Sequence, residues 1–409
     1  MVKIAPSKLN GTLQIQPSKS VAHRAVFCAA LAGGVSHLSN VAFSDDIRAS
    51  LQAVQSLGLC TWAADGDTVT INGQAGGGLS DVDCNESGTT LRFSIPLAMD
   101  GPEHRFIGRG RLLSRPLDLY EEISRMQGIR MAVRDGNIAV EGQLYPDLFT
   151  LRGNISSQFV SGLLLALPRL KGDSRIIFTT QLESRPYVDM TMDMLRKFGI
   201  ETEFSAGDII VYGNQKYKPC DLAIEGDYSH AAFFAVGAAL SGRVELTGLE
   251  PGSLQGDKRI FELLKTAGAQ VDGTNVAQAG LRAQRIDVSQ IPDLVPVLCV
   301  LACKAQGTTT LYNAGRLRLK ESDRLFAMAY ELRKLGASVD EFDDKLVIEG
   351  GRGLHGGRVD SHGDHRVAMA LTIASCIAYG PIELSNPEVV SKSAPRFYEE
   401  FQELGGQLI

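Results

Sequence analysis

The amino-acid sequence predicts an α/β protein of two domains, each assembled from three copies of one helix-and-strand module. Three observations carry that expectation. The chain has 409 residues, more than one hydrophobic core usually organises, so two domains of roughly 200 residues each follow. Six amphipathic stretches each end in a glycine, at Gly58, Gly128, Gly199, Gly268, Gly336 and Gly405, with successive spacings of 70, 71, 69, 68 and 69 residues. Several copies then run into short apolar or alternating segments, VTING ending at Gly73, IAVEG at Gly142, IIVYG at Gly213 and LVIEG at Gly350, the pattern of a hairpin strand.

The segments before the period glycines, such as LQAVQSLGL, MDMLRKFGI and AYELRKLGA, read as helices with one buried face. Glycine is the residue expected where a helix ends in a left-handed turn before the chain becomes extended. Six modules over two domains means three in each. The period leaves their packing open, because open doubly wound sheets and helix-centred arrangements share it.

Composition narrows the function classes. The apolar share of 44%, the charged share of 22% and 43 glycines against 15 prolines are those of a globular chain with many turns. A formal charge of -6 gives no reason to expect nucleic acid or an anionic membrane as partner, so an anionic ligand would need a local basic pocket. The longest apolar runs, 231–240 and 294–302, are about half the length that spans a bilayer. The start, MVKIAPSKLNG, lacks the apolar stretch of a secretory signal. Seven scattered cysteines with no C-x-x-C read as reduced thiols. A soluble, cytoplasmic protein is expected.

The polar residues that could carry chemistry gather at helix starts. In QIQPSKSVAHR, Ser18, Lys19 and Ser20 stand between a short strand and a helix, with Arg24 one turn further on; free N–H groups beside an ammonium make an anion site. An uncharged side chain should be tolerated at Lys19 as far as folding is concerned. CNESGTTLR places Ser87, Gly88, Thr89 and Thr90 before another helix, where glycine lets a ligand approach the backbone. RGRLLSRP supplies Arg109, Arg111 and Arg115, NISSQF supplies Ser156, Ser157 and Gln158, and ESRPY supplies Ser184, Arg185 and Tyr187.

The second half holds IPDLVPVL with Asp293, RLRLKESDRLF with Lys320, Glu321, Asp323 and Arg324, SHGDHRVAM with Asp364, His365 and Arg366, and SKSAPRF with Lys392. A carboxylate opening a strongly apolar helix, as Asp293 does, suits proton transfer. Taken singly, each string is equally an ordinary helix cap. The His362-x-x-His365 pair lacks a third ligand at helical spacing, so no metal is expected.

Taken together, SKSVAHR, SGTTLR, SSQ, SRPY, IPD, LKESDRL and GDHRVAM, in this order, closely resemble the 5-enolpyruvylshikimate-3-phosphate synthases, over nearly the whole chain. The resemblance implies a two-lobed inside-out α/β barrel of six βαβαββ modules, three per lobe. One lobe comprises 1–18 and 224–409, the other 19–223, with the active site in the cleft between them. It implies phosphoenolpyruvate and shikimate 3-phosphate as substrates, glyphosate as an inhibitor competing with phosphoenolpyruvate, no cofactor and a monomer. By resemblance the phosphoenolpyruvate set is Lys19, Gly88, Arg115, Gln158, Arg324, Arg366 and Lys392. The shikimate 3-phosphate set is Lys19, Ser20, Arg24, Ser156, Ser157, Gln158, Ser184, Tyr187, Asp293 and Lys320. Catalysis falls to Lys19, Asp293, Glu321 and Lys392.

Two positions depart from that pattern. Arg316 stands where some members carry Asn, and Glu86 where a small or amide residue is usual. The sister family that uses UDP-N-acetylglucosamine usually has a cysteine just before its Arg-Pro, and GRLLSRP has none. A non-enzymatic repeat scaffold would instead spread its basic residues over a solvent face.

Overall fold

The computed structural model of the chain describes residues 1–73, 76, 78, 81–134 and 136–409, with backbone alone at 134. Two compact units emerge, Met1–Ser18 with Glu225–Ile409, and Lys19–Ile224.

One module shows how the sequence becomes structure. Strand Asp81–Asp83, helix Gly88–Leu97, strand Asp100–Ile107, helix Asp118–Gln127 and the hairpin strands Arg130–Arg134 and Asn137–Gln143 follow in order. Val82 faces Phe106 in a parallel pair, Phe106 faces Ile138 antiparallel, and Ile138 faces Val133 antiparallel. The spatial order is first, second, fourth, third, and the helix supplies the crossover that a parallel pair requires.

The same order recurs in the other four-stranded sheets. In one sheet of each unit the first strand comes from a distant part of the chain, Leu222–Ala223 beside Val35–Ser39 and Leu9–Gln14 beside Gly242–Thr247. The sixth sheet joins Gly357–Asp360, Ile382–Ser385 and Val2–Ile4, and a bridge from Ile4 to Leu408 stands where the third strand would lie. Six βαβαββ modules, three per unit, are therefore present, and no described sheet closes on itself.

Helix composition decides what lies inside. In one unit Lys19–Leu31, Gly88–Leu97 and Ser157–Ala166 are buried on nearly every side, and in the other Tyr228–Ser241, Val295–Lys304 and His365–Ile373 are. A helix apolar all round belongs in a core. Leu163, Leu164 and Leu165 are each 0% exposed, and each contributes roughly 1.5–3 kcal/mol by its burial. The second helix of each module has two faces instead; Asp118–Gln127 buries Leu119, Tyr120 and Ile123 and leaves Met126 exposed.

Those two-faced helices end at the period glycines, all six of which have φ between +70° and +104°, the region where a side chain is strained. The glycines that end the hairpin strands answer to a different constraint. A Cβ on Gly73 would sit 1.8 Å from the Ala32 carbonyl oxygen, and one on Gly350 2.1 Å from that of Ala305.

Among the described residues no helix is long and apolar enough to cross a membrane. Burial pushes the Cys60, Cys303 and Cys376 thiols up to about 12, so they are poor nucleophiles at neutral pH.

Candidate active site

In the unit Lys19–Ile224 the buried helices begin at Lys19, Gly88 and Ser157, each with the positive end of its helix dipole there. The Lys19 ammonium lies 2.7 Å from Asp46 Oδ2, and both side chains are largely buried. Arg24, 3% exposed, donates to the Ser20 and Tyr187 carbonyls at 2.7 and 2.9 Å and to the Thr191 hydroxyl at 2.8 Å. Among the described residues no carboxylate lies within ion-pair reach of Arg24, and burial lowers its guanidinium to about 10. A buried cation with only neutral partners is poised to accept an anion.

The Gly88 loop is built more tightly than its sequence suggests. Ser87 caps the helix, accepting from the Thr90 N–H at 3.2 Å. Gln158 Nε2 donates to Thr89 Oγ1 at 2.9 Å, and its Oε1 accepts from Arg92 Nη1 at 2.9 Å. Arg92 also donates to the Pro116 carbonyl at 3.0 Å, beside Arg115. A Cβ on Gly88 would lie 2.5 Å from Arg115 Nη1 and 3.1 Å from Arg92 Nη1. Gly88→Ala should therefore displace the Arg115 guanidinium and raise the KM for an anionic ligand there by about tenfold, ~1.4 kcal/mol of lost binding. Steady-state kinetics with unchanged KM would show that Arg115 yields without cost.

Capping accounts for some of the predicted residues and not for others. Ser156 caps Ser157–Ala166 by accepting from the Gln158 N–H at 3.3 Å. Ser184 adopts left-handed backbone, φ 53°, and its side chain makes no cap bond, so the hydroxyl is not committed to the helix it precedes. Tyr187 takes part through its carbonyl, and its ring lies 5.8 Å from the Arg24 guanidinium carbon.

In the other unit the charged residues converge on one guanidinium. Arg324, 1% exposed, donates at 2.8 Å each to Asp364 Oδ2, Asp293 Oδ1 and Glu321 Oε2. Burial works against its charge, but Asp364, Glu321 and Asp293 together hold it above its ordinary value. Arg366 Nη2 reaches Asp293 Oδ2 at 3.2 Å, and Lys320 Nζ lies 3.6 Å from Asp293 Oδ1. Burial lowers Lys320 to about 8 against the pull of Asp293. Asp293 sits in a 3-10 turn, Pro292–Leu294, just ahead of the apolar helix rather than within it. Lys392, 7% exposed, ends the turn Pro387–Lys392.

Asp364 also caps His365–Ile373 through the Arg366 N–H at 2.9 Å, and the loop before it is latched from behind. Glu331, fully buried, accepts from His362 Nε2 at 2.7 Å, Lys334 Nζ at 2.8 Å and the Asp360 N–H at 3.1 Å. The hydrogen bond to Glu331 holds His362 above its ordinary value. A raised histidine stabilises the fold fully below its unfolded value and loses that contribution as pH rises through the folded one. His362→Gln should thus lower Tm more at pH ~5.5 than at pH ~8.5; equal losses at both would place the latch elsewhere. The other histidine of the H-x-x-H pair, His365, is buried with its Nδ1 3.8 Å from Asp364 Oδ1.

The two departures have local partners. Arg316 donates to the Ser289 carbonyl and adds positive potential at Lys320. Glu86 lies against Gly110, where a Cβ would meet its Oε1 at 2.5 Å. Sequence reasoning missed two residues that the geometry brings in, Asp46 on Lys19 and Arg92 on Gln158, and it named Asp364 only at a helix start, without its hold on Arg324. Arg92 had a signal, since an arginine inside the apolar run LRFSIPLA needs a buried partner.

This architecture is that of solved enolpyruvyl transferases. The enolpyruvyl transferase NikO from Streptomyces tendae has the same fold, at TM-score 0.80 and 20% identity over 100% of this chain and 98% of that one. The EPSP synthase from Acinetobacter baumannii matches at TM-score 0.82 and 26% identity, covering 100% and 99%. The 3-phosphoshikimate 1-carboxyvinyltransferase of Clostridioides difficile (strain 630) is 46% identical over 100% of this chain and 98% of its own length. That of Clostridium novyi (strain NT) is 44% identical over 99% and 97%. The family model for EPSP synthase (3-phosphoshikimate 1-carboxyvinyltransferase) matches residues 4–401, and the chain belongs to that family.

Proposed function

We propose that this chain, as a cytoplasmic monomer, transfers the enolpyruvyl group of phosphoenolpyruvate to the 5-hydroxyl of shikimate 3-phosphate and releases phosphate, a step toward chorismate and the aromatic amino acids. The observation that supports it most is the Asp293 carboxylate held among Lys320, Arg324 and Arg366. A carboxylate so placed can take a hydroxyl proton while the cations beside it receive anionic substrate groups.

The two sets of residues act, in this reading, on the same pair of substrates. Asp293, with Lys19, accepts the proton of the 5-hydroxyl as its oxygen adds to C2 of the enol. Glu321, with Lys392, delivers a proton to C3. The tetrahedral intermediate then expels phosphate as C3 gives a proton back to Glu321 and the enol double bond is restored, with Arg115, Arg324 and Arg366 holding charge and geometry. Gly88 and Gln158 line the phosphoenolpyruvate side. Ser20, Arg24, Ser156, Ser157, Gln158, Ser184, Tyr187 and Lys320 receive shikimate 3-phosphate, whose phosphate suits the uncompensated Arg24. Glyphosate, an anion resembling phosphoenolpyruvate, competes for the same arginines.

Lys320 carries a pH test of the acceptor site. Its ammonium is lost as pH rises through about 8, so affinity for shikimate 3-phosphate should fall there, and Lys320→Met should bind more weakly with that dependence removed. Calorimetric titrations at several pH values check this; a wild-type affinity constant across that range would exclude Lys320 from the acceptor set. The reading itself is tested by acceptor choice, since phosphate release should require shikimate 3-phosphate and be absent when UDP-N-acetylglucosamine replaces it. The reverse preference would overturn it.

A further inference from the structure

One buried carboxyl that feels the charges of Asp293 and Arg366 is not used by the reaction as written. Asp257, in the turn Gly256–Arg259, is 2% exposed. Its Oδ2 accepts a 2.5 Å hydrogen bond from Ser229 Oγ, and its Oδ1 is buried with no hydrogen-bond partner. An ionised carboxylate demands several donors, whereas a neutral acid can leave one oxygen poorly served. The charges around it point the same way. Arg366, which favours its charge, is already engaged by Asp293 Oδ2 at 3.2 Å.

The groups acting on Asp257 come from each neighbouring element. Asp293 from Pro292–Leu294 and Asp227 from the start of Tyr228–Ser241 disfavour its charge, while Arg366 from His365–Ile373 and the Ser229 hydroxyl favour it. On its own turn, Lys258 is engaged by the Ser253 carbonyl at 2.6 Å. Burial is the largest influence, and the carboxyl is pushed up to about 7.

We propose that Asp257 is a positioning residue, a buried acid whose neutral form leaves the charge of Arg366 to Asp293 and the anionic substrate and whose ionised form competes with them for it. This rests on the reading that Arg366 receives phosphoenolpyruvate. An anion arriving at Arg366 adds negative charge near Asp257, so binding favours the neutral form and is coupled to proton uptake. The carboxyl thus gives the donor site an alkaline limit set by a group that never touches substrate.

Two measurements test this separately from the reading it rests on. Without substrate, infrared spectra of the full chain should show a protonated carboxyl band that disappears as pH rises through about 7 and is missing in Asp257→Asn. With substrates, the alkaline limb of kcat/KM for phosphoenolpyruvate should begin near 7 in the wild type and move toward about 8, where Lys320 titrates, in Asp257→Asn. Ser229→Ala, which removes the donor to the ionised form, should move the limb the same way, so the inference stays testable if the first variant folds poorly. A wild-type spectrum without that band, or limbs that superimpose in wild type and variants, would overturn it; a merely structural Asp257 would change yield or Tm and leave the limbs unmoved.

Discussion

Lys19→Met should lower kcat/KM by more than about a hundredfold, ~2.7 kcal/mol of transition-state stabilisation, and should also lower the melting temperature. The first effect follows from the role assigned to the ammonium at the start of its helix. The second comes from Asp46, whose side chain is 7% exposed, whose Oδ2 lies 2.7 Å from Lys19 and whose Oδ1 is buried without a hydrogen-bond partner. Removing one member of a buried pair leaves an uncompensated charge that costs about 3–5 kcal/mol. Position 19 therefore does not tolerate a neutral side chain as freely as a helix start alone would imply. Adding Asp46→Asn should return most of the stability and none of the activity. Thermal melts and kinetics on the single and double variants check both halves; an active Lys19→Met enzyme would remove Lys19 from the reaction.

Arg324→Met should be more damaging still. The guanidinium is 1% exposed and holds three carboxylates, Asp293, Glu321 and Asp364, at 2.8 Å each. Its loss leaves those charges facing one another, with Arg366 and Lys320 beside Asp293. A destabilisation of about 3–5 kcal/mol is expected, a large part of the ~5–15 kcal/mol that keeps a typical protein folded. Activity should vanish even at temperatures where the variant is folded, because Asp293 and Glu321 lose their shared anchor. Arg324→Lys should not rescue it, since an ammonium cannot serve three carboxylates in a fixed fork. Denaturant unfolding with the midpoint unchanged would show that the cluster carries no net stability.

The fold was legible because its constraints are local. A helix that must end in left-handed backbone selects glycine, and six such ends at nearly equal spacing count the modules directly. The packing was not legible from the period, because nothing in a spacing says which helix of a module is buried all round; the apolar composition of runs such as SQFVSGLLLA does. The candidate site was legible where its proposed residues lie at helix starts, as at Lys19, Gly88, Ser157 and Arg366. It was opaque where function depends on partners far along the chain. Arg92 meets Gln158 across 66 positions, and Ser229 meets Asp257 across 28. SLQGDKRI reads as a polar turn, and only burial turns its aspartate into a candidate acid. Gly88 shows the intermediate case: the need for space was readable, but not that Arg115 would be the first group displaced.

The most direct test of enolpyruvyl transfer is phosphate release by the full chain, followed with phosphoenolpyruvate and shikimate 3-phosphate together and with each alone. Release that requires both substrates, in step with formation of the enolpyruvyl ether and abolished by Lys19→Met, is the predicted result. Phosphate set free from either compound alone at a comparable rate, or none from the pair, would contradict it.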